Sequence, residues 1–349
     1  MCCPQERCEG RGIPFSMSIK EYINCHYRLK KICASLEGQL DASRVFRAFH
    51  FRQARRKIAK LQQVGLPSCV HVETTNQCNA RCLMCPQSSL TRHTGHMPIK
   101  VFQKIIDNVQ EEGIQKIGLS FLGEPLLDPS FVERLAYVRK KSPGSFIFFS
   151  TNASLLTDAV AQGLIDHKVN EIRISFDAFT KGTYEHIRRG LCYETVISNI
   201  LRFVDRKRKQ KVPYPKLRLT FVALTHNERE IQQFYAFWRR RVDTVEVDFA
   251  RNWAEQYQVP DQGSVHTRPH RASNPCDVLW KEMVITVDGQ AVLCCNDYDG
   301  TVIMGDVVRD GIRAVWNSDA YRTYRTQHAA GNRSALKLCN TCMKYSWWL

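Results

Sequence analysis

The chain has 349 residues, 44% of them hydrophobic, with 50 Lys and Arg against 34 Asp and Glu for a formal net charge of +16. That length suits one large domain plus a smaller one and excludes a minimal module. No apolar run reaches the about 18 residues of a membrane span. The opening Met1-Cys-Cys-Pro-Gln-Glu-Arg7 also lacks the apolar core of a signal peptide, so the expectation is a cytoplasmic protein with no membrane span. Fifteen cysteines in such a setting mean metal more often than disulfide. The positive charge suits phosphates, nucleotide-linked substrates, nucleic acid or anionic lipid, and equally a solvated surface without a partner. Its runs, Arg55–Lys57, Arg206–Lys211 and Arg239–Arg241, are not interleaved with the aromatic platform of a single-strand binder.

In chain order, residues 1–66 read as a basic helical extension, ended by Gly65-Leu-Pro67. Residues 67–250 alternate strand and helix. Apolar, β-branched runs stand at Val70–Thr74, Lys116–Phe121, Ser145–Ser150, Glu171–Phe176, Lys216–Ala223 and Thr244–Phe249. Amphipathic stretches such as Val101–Val109, Phe131–Lys140 and Leu155–Ile165 lie between them. The fold class is α/β: repeated βα units build a parallel sheet with helices outside, and six units are too few for an eight-fold barrel. Residues 251–274 lack periodicity and read as a linker. Residues 275–349 form a second, smaller domain, with a hairpin over Met283–Leu293 turning at Asp288-Gly289 and a helix over Ile312–His328.

Two groups of cysteines carry chemistry. Cys78, Cys82 and Cys85 follow the first strand with C-x3-C-x2-C spacing. Three thiolates so close can hold three corners of a cubane iron–sulfur cluster and leave the fourth iron open to a small ligand. On spacing alone, zinc or redox thiols are the alternative. In the second domain, Cys276, Cys294 and the hook Cys339-Asn-Thr-Cys342 supply four ligands for a closed site, cluster or zinc, with Cys295 able to replace Cys294. Cys25, Cys33 and Cys69 read as buried small hydrophobes.

With these motifs the chain resembles the radical S-adenosylmethionine (SAM) superfamily, and its C-terminal part resembles the SPASM/twitch extensions of such enzymes. The resemblance implies a partial (β/α)6 radical SAM barrel, SAM, and two 4Fe–4S clusters: one on Cys78, Cys82 and Cys85, and an auxiliary one on Cys276, Cys294, Cys339 and Cys342. In that family the unique iron chelates SAM, and an electron from the cluster releases a 5′-deoxyadenosyl radical that abstracts hydrogen from substrate. Gly123-Glu124-Pro125 matches the motif for the SAM amine, and Met84 the position facing adenine. Ser150, Asn152, Ser175 and Asp177 resemble positions that touch SAM ribose and carboxylate, and Arg188 resembles an arginine of many relatives. Ala153 stands where glycine is common, which bears on the shape of that loop. Ser154, Thr157 and Asp158 read equally as helix caps.

The implied function is dehydrogenation of a polyhydroxylated small molecule such as a sugar or cyclitol, anionic in keeping with the charge. The auxiliary cluster would accept an electron, and a flavodoxin or ferredoxin would supply the SAM cluster. Modification of a peptide is the alternative within the family, and a non-catalytic metal-binding module docking on RNA or membrane the alternative outside it. Cys192 and Cys295 are candidate hydrogen donors to a substrate radical, although packing or spare ligation explains either.

Overall fold

Six strands run parallel in chain order: β1 (Cys69–Val72), β3 (Lys116–Gly118), β4 (Phe146–Thr151), β5 (Glu171–Ser175), β7 (Lys216–Ala223) and β8 (Thr244–Phe249). Between β1 and β3 lies the short β2 (Arg81–Cys82), which pairs antiparallel with β6 (Arg188–Arg189). This computed structural model describes residues 65–251, 253–260 and 276–342. The helical reading of residues 1–64, with Cys25 and Cys33, and residues 261–274 of the linker lie outside the described residues. No described helix is long and apolar enough to cross a membrane.

The helices cover the outer face: α1 (Ile99–Glu111), α2 (Phe131–Lys141), α3 (Asp158–Asp166), α4 (Lys181–Ile187), α5 (Tyr193–Gln210) and α6 (Ile231–Trp238). In α1 the buried residues are Phe102, Ile105, Ile106 and Val109, the three-and-four spacing of one helix face. Each such side chain contributes about 2 kcal/mol of hydrophobic stabilisation. Along β7, Leu217, Leu219, Phe221 and Ala223 alternate into the core, so a one-residue slip would turn all four outward. Thr157 caps α3 through the Val160 N–H, which starts the helix three residues later than Leu155. Cys69 is buried, as read.

The second domain is continuous with this sheet. Strand β9 (Glu282–Ile285) lies parallel to β1, with Val70 opposite Met283 and Val72 opposite Ile285. Strands β10 (Gln290–Val292) and β11 (Ile303–Asp306) follow antiparallel, so nine strands run β11-β10-β9-β1-β3-β4-β5-β7-β8. The hairpin loop is three residues rather than two. Gly289 N–H closes it on the Thr286 carbonyl, and Gly289 is left-handed at φ 79°. The extra residue, Val287, is buried and donates its N–H to the Glu73 carboxylate. The expected helix over Ile312–His328 is two helices, α8 (Ile312–Trp316) and α9 (Asp319–Ala330), after the short α7 (Val307–Asp310). Ser318 breaks it: its hydroxyl donates to the Met304 carbonyl and accepts from the Tyr321 N–H as the cap of α9.

Candidate active site and auxiliary metal centre

The carboxyl ends of the parallel strands gather around the loop that leaves β1. Its neck is tied before any cysteine appears. Asn76 donates to the His93 carbonyl at 2.7 Å and accepts from the Gly95 N–H at 2.8 Å, while Thr75 donates to the Gly95 carbonyl at 3.1 Å. Within this closed loop Cys82 is buried, and Cys78 and Cys85 are half-buried. Burial pushes the Cys78 thiol up to about 11 and the Cys85 thiol up to about 12, so a metal group must displace protons to claim them.

Gly123 and Glu124 support that loop from the end of β3. A Cβ on Gly123 would stand 2.4 Å from the Thr75 carbonyl oxygen and 2.7 Å from both Asn76 Cα and the Gln77 oxygen. Only glycine admits this approach of two backbones. The Glu124 N–H donates to the Gln77 carbonyl at 2.8 Å. Its carboxylate is buried and accepts from Thr151 Oγ1 at 2.6 Å, Asn152 N at 2.7 Å and Leu126 N at 3.1 Å. Burial raises its pKa and these three donors oppose the rise. The carboxylate therefore clamps β3 to β4, a role the motif reading did not include. Pro125 opens the short turn that follows.

The end of β4 then braces the cysteine loop directly. Asn152 Nδ2 donates to Asn79 Oδ1 at 2.9 Å, and Asn79 Nδ2 donates to Ser154 Oγ at 2.9 Å. Ala153 between them is fully buried at φ 60°, so the alanine takes the left-handed turn that glycine would take more easily. Ser150 and Ser175, at the ends of β4 and β5, are half-buried. Met84 packs into the core cluster beside the cysteines.

Asp177 and Arg188 are brought together. Their buried ion pair uses Arg188 Nε and Nη2, while Nη1 points at Cys82 Sγ at 3.4 Å. The other oxygen of Asp177 accepts from Val222 N at 2.8 Å. Cys192, by contrast, is exposed at the start of α5, with its thiol 3.3 Å from the Glu194 carboxylate.

In the second domain, Cys294 lies in electrostatic reach of Cys295, Cys342 and Cys276, and Cys339 in reach of Cys276 and Cys342. The Cys295 thiol also accepts from Arg251 Nη1 at 3.4 Å. Two Asn296 donors reach sulfur: N–H to Cys294 at 3.4 Å and Nδ2 to Cys342 at 3.2 Å. Arg333, buried, donates to the Cys339 and Cys342 carbonyls at 2.8 and 2.6 Å and folds the hook. His328 Nδ1 accepts from the Cys276 N–H at 3.1 Å. Four thiols with N–H donors directed at sulfur suit an anionic iron–sulfur cluster.

A model of the radical SAM superfamily matches residues 72–237, and a model of the SPASM iron–sulfur cluster-binding domain matches residues 276–343. The chain belongs to the radical SAM superfamily. The S-adenosyl-L-methionine-dependent 2-deoxy-scyllo-inosamine dehydrogenase of Niallia circulans is 22% identical over 281 residues, 80% of this chain and 94% of that protein. The mycofactocin maturase MftC of Mycobacterium tuberculosis is 22% identical over 313 residues, 80% of this chain and 76% of the maturase. Among solved structures, BtrN in complex with AdoMet and 2-DOIA superposes with TM-score 0.56 at 20% identity, covering 80% of this chain and 94% of BtrN. Streptococcus suis SuiB bound to precursor peptide SuiA superposes with TM-score 0.64 at 14% identity, covering 92% of this chain and 83% of SuiB.

This radical SAM enzyme therefore uses SAM and two 4Fe–4S clusters, and the three-thiol and four-thiol sites have the donor chemistry for them. Membership leaves the reading as a non-catalytic metal-binding module without support. Residues 253–257, at the start of the expected linker, contact both its barrel and its SPASM domain. Trp253 Nε1 donates to the Met84 carbonyl at 2.9 Å, and the Tyr257 hydroxyl donates to the Leu83 carbonyl at 3.2 Å. From the other side, Thr341 donates to the Ala254 carbonyl at 2.8 Å, and Gln256 donates to the Asn296 carbonyl at 2.9 Å. Trp253, Ala254 and Glu255 are all left-handed, at φ 47°, 55° and 60°. A second tie is the buried Glu73–Arg92 pair: Arg92 also donates to the Tyr298 carbonyl at 2.8 Å, and Asp299 accepts from the Thr91 N–H at 2.7 Å.

Proposed function

We propose that this radical SAM enzyme dehydrogenates a polyhydroxylated small molecule, a sugar or cyclitol, with the auxiliary cluster as acceptor of one electron. The supporting observation is the match to the 2-deoxy-scyllo-inosamine dehydrogenase, which runs over 80% of this chain and 94% of that protein. SAM bound at the three-cysteine cluster supplies, on one-electron reduction, the carbon radical that removes a hydrogen atom from an unactivated C–H bond. Cys78, Cys82 and Cys85 hold that cluster. Glu124, Asn152 and Asn79 fix the loop that carries it, Met84 faces adenine, and the Ser150 and Ser175 hydroxyls at the strand ends meet SAM. Cys276, Cys294, Cys339 and Cys342 ligate the auxiliary cluster on all corners, which suits electron transfer better than substrate binding. Cys294, whose sulfur accepts from the Asn296 N–H, is the ligand, and Cys295, at Arg251, the spare thiol. A low-potential flavodoxin or ferredoxin in the cytoplasm supplies the electron, and an anionic substituent on the substrate fits the +16 charge.

The test is anaerobic reconstitution, chemical reduction, and measurement of 5′-deoxyadenosine against panels of sugars, aminocyclitols and peptides, with Cys78→Ala as control. Stimulation by a polyol, with formation of a carbonyl product, supports the reading. Stimulation by peptides alone overturns it. A second reading, peptide modification, is favoured by the superposition on SuiB with its precursor peptide, which covers 92% of this chain against 80% for BtrN. Deletion of residues 1–66 should then abolish peptide turnover; retained turnover would reject a leader-binding role.

A further inference from the structure

We propose that Arg188, braced by Asp177, tunes the three-cysteine cluster by hydrogen-bonding the Cys82 sulfur, and so holds its reduction potential above that of the bare thiolate set. The inference rests on the reading of Cys82 as a cluster ligand. Three features of the site carry it. First, Nη1 of Arg188 lies 3.4 Å from Cys82 Sγ, within reach of an N–H···S bond. Second, the two residues are fixed by backbone as well as by side chain. Cys82 pairs with Arg188 in the β2–β6 ladder, and the Leu83 N–H donates to the Ile187 carbonyl at 3.0 Å. Third, the guanidinium cannot swing away, because Nε and Nη2 are held by an Asp177 with no exposed surface. Asp177 is itself anchored to the end of β7 and the turn after it: its carboxylate accepts from Val222 N, and its carbonyl from Asn227 Nδ2 at 2.7 Å.

Hydrogen bonds to cluster sulfurs and local charge are two of the levers that set an iron–sulfur potential. Reduction adds one negative charge, so a donor and cation at Cys82 stabilise the reduced form and raise the potential. Asp177 cancels most of the cation's charge, which leaves the hydrogen bond as the main effect and keeps the potential low enough for SAM chemistry. The two partners therefore act with opposite sign. Arg188→Gln removes the cation and the guanidinium fork, leaving only a shorter, neutral amide donor, and should lower the midpoint. Asp177→Asn keeps an acceptor for Val222 but frees the positive charge, and should raise it. Arg188→Lys, with charge but no fork, should fall between wild type and Gln.

The readout is the midpoint potential of the reduced cluster signal that responds to added SAM, followed by EPR in a mediated reductive titration of the reconstituted full chain. Opposite shifts in Arg188→Gln and Asp177→Asn support the proposal. An unchanged midpoint in iron-replete Arg188→Gln overturns it, as does lost SAM binding at an unchanged potential, which would make Arg188 a SAM ligand. Loss of iron from both Arg188 variants also overturns it, since the pair would then only hold the loop. Full iron loading of Cys82→Ala would instead strike at the ligand reading beneath it.

Discussion

Ala153 shows how closely the site constrains single residues. Its methyl group is fully enclosed while its backbone is left-handed, a conformation that costs an L-residue about 1–2 kcal/mol. A branched side chain fails on both counts. Ala153→Val should lower stability by about 3 kcal/mol, read as a shifted denaturant midpoint with unchanged slope. Gly123 makes a different demand, because its neighbours are backbone atoms that cannot rotate aside. Gly123→Ala should displace the segment Thr75–Gln77 and with it Cys78. Iron analysis after reconstitution should then fall toward half of the wild-type content, with the auxiliary cluster spared. Full iron content would show that the loop can yield.

At the scale of elements, the strands and the two cysteine patterns were legible because their signals are local. Lys216–Ala223 and Thr244–Phe249 occupy the positions of the apolar, β-branched runs. Lys116–Phe121 came out shorter, ending at Gly118, because the chain then turns so that Ser120 Oγ accepts the Ser150 N–H. What stayed hidden was long-range pairing. Asn79 meets Asn152 across 73 residues, and Trp253 meets Met84 across 169, and no window of sequence records either. Glu73 offered one available signal, an acid at the end of an apolar strand, and Arg92 was its partner. Asn296, His328 and Arg333 sat near the auxiliary cysteines in sequence but had no spacing rule to mark them. Three consecutive left-handed residues without glycine at Trp253–Glu255 left no composition signal at all. The bridge they form can be tested directly. Trp253→Phe deletes one hydrogen bond to the Met84 carbonyl while keeping the ring, and should weaken SAM affinity by about 1 kcal/mol, roughly five-fold, in an equilibrium titration. Unchanged affinity would place the bridge outside SAM binding.

At the scale of the molecule, the pairing of β1 with β9 makes one sheet of what sequence reads as two domains. The barrel and the SPASM hairpin should unfold together: hydrogen exchange in denaturant, read peptide by peptide, should expose β4 and β10 in a single step. Two separate steps would mean that the shared sheet does not couple them. The same pairing has a consequence for biosynthesis. Ser68, at the entrance to β1, bonds the Lys281 carbonyl across 213 residues of chain. During translation β1 emerges early, and among the described residues it has no strand on its outer side until β9 leaves the ribosome. Until then it is an open strand edge, the kind of template that recruits other chains into aggregates. The C-terminal domain thus closes the sheet as well as carrying a cluster. A chain terminated before residue 282 would lack the strand that, among the described residues, covers β1.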